Sequence, residues 1–234
     1  GSSSNALPSA KDAAANLAES PDDPEARQQY ADALLAEQSF DEAKLAYESF
    51  LELEPDNTTA LRQLALLYQA DTANVLARAN ALQQDAVLSD PSALIVFDPT
   101  STPFTQELAR NELERAVAIV RNDRALMVFD EAAVLAVPWV ETLERLAAIE
   151  PNSPTIHLQI GQAAEIANDT DTARAAYMRA LELDPAGAGT TQIRDQILKL
   201  GGEIPEELRT LIEENAVISP LDTSTPPSDR VVED

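Results

Sequence analysis

His157 is the only histidine in the 234-residue chain, and there is no cysteine. Catalytic triads and histidine metal sites therefore lack parts. Disulfides, thiolate metal sites and cysteine nucleophiles are excluded outright. Carboxylates are abundant, but runs such as "EELRTLIEEN" spread them along polar helix faces, and no pair stands out for general acid–base work. "NDTDTA" (Asn168 to Ala173) alternates acids without the closing Gly and Glu of a calcium loop and reads as a turn between helices. There is no glycine-rich phosphate loop, and the residues call for no cofactor and no metal. His157 itself reads as a packed or half-buried imidazole.

The charge balance narrows the partners. Sixteen Lys and Arg against 41 Asp and Glu leave a net charge of −25. Nucleic acid and anionic membrane surfaces are poor partners for such a chain, because binding phosphates needs clustered cations. No apolar run approaches the ~18 residues of a membrane span, so membrane insertion is not expected. An acidic, alanine-rich chain with three lysines points to a bacterial source. The start "GSSSNALPSA" lacks a methionine and leaves two readings open. One is a cloning scar before a cytoplasmic protein; the other is an exported protein or lipoprotein with its signal removed.

Helix formers dominate, and one pattern recurs. Ala43, Tyr47, Phe50 and Pro55 have the spacing of Ala173, Tyr177, Ala180 and Pro185. Weaker copies lie at Ala79, Gln83, Ala86 and Pro91, and at Trp139, Leu143, Leu146 and Pro151. Successive prolines are 36, 60 and 34 residues apart. "PEARQQYADALLAEQSFDEAKLAYESFLELEPDN" (24–57) and "PTIHLQIGQAAEIANDTDTARAAYMRALELDPAG" (154–187) each fill a 34-residue unit without a gap. On these residues the chain resembles the tetratricopeptide repeat (TPR) family of helix–turn–helix units. Small residues should let paired helices cross closely, Ala31 against Ala43 and Gly161 against Ala173. The proline ends each second helix, since its ring cannot donate an i→i−4 bond.

The expected fold is mainly all-α, a TPR superhelix with an inserted segment. The expected division is a linker or tether over 1–23, two repeats over 24–91 and an insertion over 92–120. A degenerate and then a clear repeat follow over 121–187, with capping helices over 188–218 and a flexible tail over 219–234. In the linker, Ala10 to Glu19 reads as a short helix. In the cap, Ile193, Ile197 and Leu200 face inward, Gly201 ends the helix, and another helix starts at Pro205. "ALIVFD" (93–98) and "ALMVFD" (125–130) are near-copies flanking a helical pattern. Two readings stay open: short strands in a βαβ unit, or a buried connector before the first helix, 124–137, of the degenerate repeat. Trp139 stands where repeats favour a small residue and marks the junction with the insertion; a ligand-stacking role is the rival reading.

The resemblance implies a non-enzymatic scaffold that binds a protein or peptide segment on the concave face. Carried over by position, the binding residues are Glu25, Gln28, Asp32, Leu35, Arg62, Leu66, Gln69, Leu158, Gln162 and Glu165. This mixed, acid-leaning surface suits a neutral to basic segment contacting the first two repeats. The family's clamp for chaperone carboxylate tails uses Lys and Asn where this chain has Gln28, Asp32 and Gln63, so that clamp is not expected. The rivals are a ligand-binding or enzymatic module, with a pocket between insertion and repeats near Trp139 and Phe97, and a self-assembling element. The oligomeric state stays open.

Overall fold

The computed structural model describes the backbone of residues 8–88, 104–187 and 189–218, and the side chains of 8–87, 114–187 and 189–213. Among the described residues there are nine α-helices and no strands. They are α1 (Ala10–Glu19), α2 (Pro24–Ala36), α3 (Phe40–Leu53), α4 (Thr58–Leu88), α5 (Phe104–Ile149), α6 (Pro154–Ile166), α7 (Thr170–Leu183), α8 (Thr190–Lys199) and α9 (Glu206–Ile218).

The pairs α2–α3 and α6–α7 are built alike, down to the hydrogen bonds. Pro24 and Pro154 open the first helices, where a missing N–H costs nothing. Each first helix ends in the same reversal. Ser39 N donates to the Leu34 carbonyl and Gln38 N to that of Leu35; Asp169 N donates to Ala164 and Asn168 N to Glu165. Gln38 and Asn168 both sit at φ 61°, the left-handed position of this helix stop. "NDTDTA" is indeed that turn, and Asp169 caps α7 by accepting from Thr172 N at 3.1 Å. His157 is half-buried, with Nε2 3.0 Å from the Pro151 carbonyl, so it braces the turn before α6.

Ala31, Ala43, Tyr47 and Phe50 are buried in the first pair, and Gly161, Ala173, Tyr177 and Ala180 in the other. One expected neighbour was misplaced. A Cβ added to Gly161 would lie 2.5 Å from the Tyr177 ring rather than meeting Ala173. Gly161→Leu is therefore expected to cost about 1–3 kcal/mol through overpacking against that ring. Gly161→Ala should cost less, since the first pair accommodates Ala31 at the matching place. Urea unfolding followed by circular dichroism checks the order Gly, Ala, Leu; a leucine variant as stable as wild type would refute it.

The middle of the chain departs from expectation. The helix–turn–helix expected over Thr58 to Pro91 is one helix as far as Leu88; Pro91 lies outside the described residues. The turn expected before Trp139 is absent too, because α5 runs unbroken from 104 to 149 through Pro138. Residues 125–130 are helical, with Ala125 and Val128 buried, so the strand reading fails there; residues 93–98 lie outside the described residues. Pro138 removes the N–H that would reach the Val134 carbonyl but leaves the helix intact, and Thr142 Oγ1 donates to the Pro138 carbonyl at 2.7 Å.

The numbers explain this. Pro55 and Pro151 are 96 residues apart, 62 more than one 34-residue unit. Leu61, Leu64 and Ala65 at the start of α4, and Trp139, Leu143 and Leu146 near the end of α5, are buried in one core with the flanking pairs. The middle unit is thus a helix pair whose two members continue past the repeat layer and pack on each other as an arm. Its seam is made of small residues seven apart: Thr72, Ala79 and Ala86 on α4, and Ala118, Ala125 and Ala132 on α5, all buried. Such spacing lets two helices approach closely along their whole length. The expected insertion over 92–120 is therefore not a separate body between repeats; from 104 onward it is the start of α5.

Both ends are covered as the apolar spacing requires. α1 buries Ala10 and Ala13 in the core and packs on α2, and Ala10 N donates to Glu37 Oε1 at 2.8 Å. Residues 10–19 are thus part of the folded body rather than a tether. At the other end Ile193, Ile197, Ile204, Leu208 and Ile212 are buried, and Gly201 ends α8 at φ 73°.

Candidate functional site

The first helices α4 and α6, together with the cap helix α8, line a groove. It encloses about 600 Å³ and is walled by Gln69, Ala73 and Leu76 of α4, Trp139 of α5, and Leu158, Gln162, Glu165 and Ile166 of α6. Tyr177 of α7, Gly189, and Gln192, Ile193 and Gln196 of α8 complete it. The α4 residues reach the groove because that helix continues into the arm. Trp139 stands where the arm leaves the repeat layer.

Most of the polar lining is amide. Gln69, Gln162, Gln192 and Gln196 each present a carbonyl acceptor and a two-proton donor. Gln196 Oε1 is shielded from solvent and has no hydrogen-bond partner among the described residues. The one ionisable carboxylate, Glu165, is already engaged, accepting from Tyr177 Oη at 3.1 Å and from Lys199 Nζ at 3.0 Å. Burial first, and then the adjacent Glu165 charge, push the Tyr177 hydroxyl far above its ordinary pKa, so it stays a neutral donor.

Of the ten positions expected on the concave face, Gln69, Leu158, Gln162 and Glu165 come together here. The other six do not line this groove. Glu25 is exposed and accepts from Gln29 Nε2 at 3.3 Å, while Gln28 and Leu35 are half-buried. Asp32 accepts from Tyr47 Oη at 2.6 Å. Arg62 is held by Glu150, with Nη2 2.7 and 2.6 Å from the two carboxylate oxygens, which locks the start of α4 to the end of α5. Leu66 is exposed. Ala73, Leu76, Gln192, Ile193 and Gln196 were missed. Of these only Ile193 was read from the sequence, as an inward-facing residue of the cap.

Among the described residues no group of His, Asp and Glu is arranged to hold a metal ion, and no helix is long and apolar enough to cross a membrane. What the arrangement offers chemically is surface: amides to pair with a backbone, and an indole and aliphatic walls to take apolar side chains.

Stacked helix pairs around a shared core, with a concave inner face, define a helical-repeat protein. Family models described as tetratricopeptide repeat match residues 24–67 and 154–186, so the chain contains tetratricopeptide repeats. No curated protein matches it. Repeats of this family mediate protein–protein interaction and bind protein partners.

Proposed function

We propose that the chain is a non-enzymatic scaffold that captures an uncharged extended segment of a partner protein in the groove between α4, α6 and α8. The observation that carries this reading is the amide lining around an indole. Each glutamine can donate to and accept from a peptide unit, as an added chain needs. Leu76, Trp139, Leu158 and Ile193 flank the amides with apolar wall for one or two large side chains. The sequence pointed to a neutral to basic segment on the first two repeats. The groove favours the neutral end of that range, because Glu165 is already bonded to Lys199 and Tyr177.

A selection of random 12-residue peptides against the protein tests the reading. Enriched peptides should be uncharged at their core with an apolar anchor. Gln162→Arg, at an exposed position, should weaken them about tenfold or more, near 1.4 kcal/mol. Asp32→Lys, on the first repeat, should leave them within about twofold. Loss with Asp32→Lys and none with Gln162→Arg would move the site to the first repeats. A second reading, a small-molecule pocket, is favoured by one observation: about 600 Å³ is the size of a cofactor or drug-like site. If such a ligand were copurified and displaced by no enriched peptide, that reading would replace the first.

A further inference from the structure

The outer face of the arm is the least explained surface of the molecule. On α5, Val120, Met127 and Val134 recur every seven residues and are largely exposed, Met127 by 71% and Val134 by 70%. Ile119 and Leu126, each one residue earlier, widen the stripe, and Val137 extends it. Single exposed apolar residues are ordinary, but a continuous row of them marks an interaction surface. This row faces away from α4: the buried residues Ala118, Ala125, Val128 and Ala132 lie on the opposite side of the helix. From Ile119 to Val137 the row is ~27 Å long.

Two acids interrupt it. Asp123 and Asp130 are exposed and fall midway between the apolar residues, so that Val120, Asp123, Met127, Asp130, Val134 and Val137 step by three and four along one face. That is the a/d seam of a coiled coil with carboxylates at two d positions. Neither acid has an ion-pair partner among the described residues, whereas Glu131 and Asp85 along the arm pair with Arg78 and Arg121. The two carboxylates are ~10 Å apart along the helix.

We infer that this face docks an amphipathic helix of a partner protein whose apolar seam carries Lys or Arg at a seven-residue spacing, meeting Asp123 and Asp130. Charge selects this occupant over a second copy of the chain. Paired in parallel, two copies would set Asp123 and Asp130 against themselves. Paired antiparallel, each acid would meet an apolar residue, and two chains of −25 repel on close approach. The surface lies on α5 outside the groove and does not depend on the groove's ligand.

The probe is a designed 21-residue helix with leucine at every a position and lysine at every d position, labelled and titrated by fluorescence anisotropy. A control helix has glutamate in place of the lysines. Wild type should bind the lysine helix about tenfold or more tightly than the control. Asp123→Lys with Asp130→Lys should reverse that order, a result that neither misfolding nor net charge produces. Reversing two exposed acids elsewhere, Glu52→Lys with Asp56→Lys, should leave the order intact, as should Gln162→Arg in the groove. The inference is overturned by no binding of the lysine helix, by equal loss from both double reversals, or by sedimentation showing a wild-type dimer that Met127→Glu dissolves. The last result would assign the face to a second copy.

Discussion

Trp139→Ala is expected to cost about 3–5 kcal/mol of folding stability, among the largest effects of any single substitution in the chain. The indole is 4% exposed and belongs to the same core as Leu143, Leu146 and Tyr177. The first and last units place Ala43 and Ala173 at the matching positions, both fully buried. Removing the indole leaves a cavity at the point where α5 passes from the repeat layer into the arm. Trp139→Phe should recover more than half of the loss. Leu66→Ala on the neighbouring helix should lie within about 0.5 kcal/mol of wild type, because Leu66 is 53% exposed. Circular dichroism in urea is the measurement, since Trp139 is the only tryptophan and its fluorescence leaves with it. A loss no larger than that of an ordinary surface substitution would refute this account. In wild type the same uniqueness is useful: occupation of the groove should shift the emission of a single, known fluorophore.

What the sequence revealed and what it hid have different physical origins. The outer units were legible because each carries its own punctuation: a proline opening the first helix, a left-handed stop at Gln38 or Asn168, and a proline closing the second. These are local devices whose partners lie within a few residues. The middle unit has the same beginning and the same end, and its residues Trp139, Leu143, Leu146 and Pro151 were recognised as a copy. Their first helix was misplaced. Pro91 offered a false terminus 36 residues after Pro55, close enough to the repeat length to be taken for a unit. One of the two readings of "ALMVFD" was a strand, because its apolar residues form a run; the other, a helix over 124–137, agrees with α5 there. In the helix that run divides, Ala125 and Val128 facing α4 and Leu126 and Met127 facing out. The heptads of the arm were hidden because alanine carries little hydrophobic contrast, although Ala118, Ala125 and Ala132 repeat without error. One signal was sufficient: the 96 residues between Pro55 and Pro151, less one unit, place a single long excursion inside the middle pair.

The groove was legible to the extent that it follows from repeat position. Gln69, Leu158, Gln162 and Glu165 sit where first helices turn inward. Ala73 and Leu76 reach the groove only because α4 fails to stop, and Gln192 and Gln196 only because α8 stacks on α7 as a further first helix would. Neither adjacency leaves a mark in local sequence. The same holds for the partners of the expected binding residues. Arg62 looked free on its helix, and its partner Glu150 is 88 residues away.

Ala132→Glu is expected to open the arm while the repeats stay folded. Ala132 is fully buried in the small-residue seam, and among the described residues no Lys or Arg is buried there to meet a carboxylate. Glutamate there adds four heavy side-chain atoms to a tight crossing, which alone costs about 1–3 kcal/mol. It also buries an unpaired charge, typically another 3–5 kcal/mol unless the helices part and let water in. Parting is the cheaper course, because the arm's seam is not continuous with the core formed by α1–α3, the start of α4, the end of α5 and α6–α9. Amide hydrogen exchange is then expected to accelerate along 73–88 and 114–136, and to remain slow in α2, α3, α6 and α7. Val134→Glu, two residues away but 70% exposed, should change neither set by more than about 0.5 kcal/mol. The outcome that would defeat this account is uniform acceleration across both sets. Arm and repeats would then unfold as one cooperative unit, and the middle pair would be the nucleus that holds the outer ones together rather than a repeat with an excursion built into it.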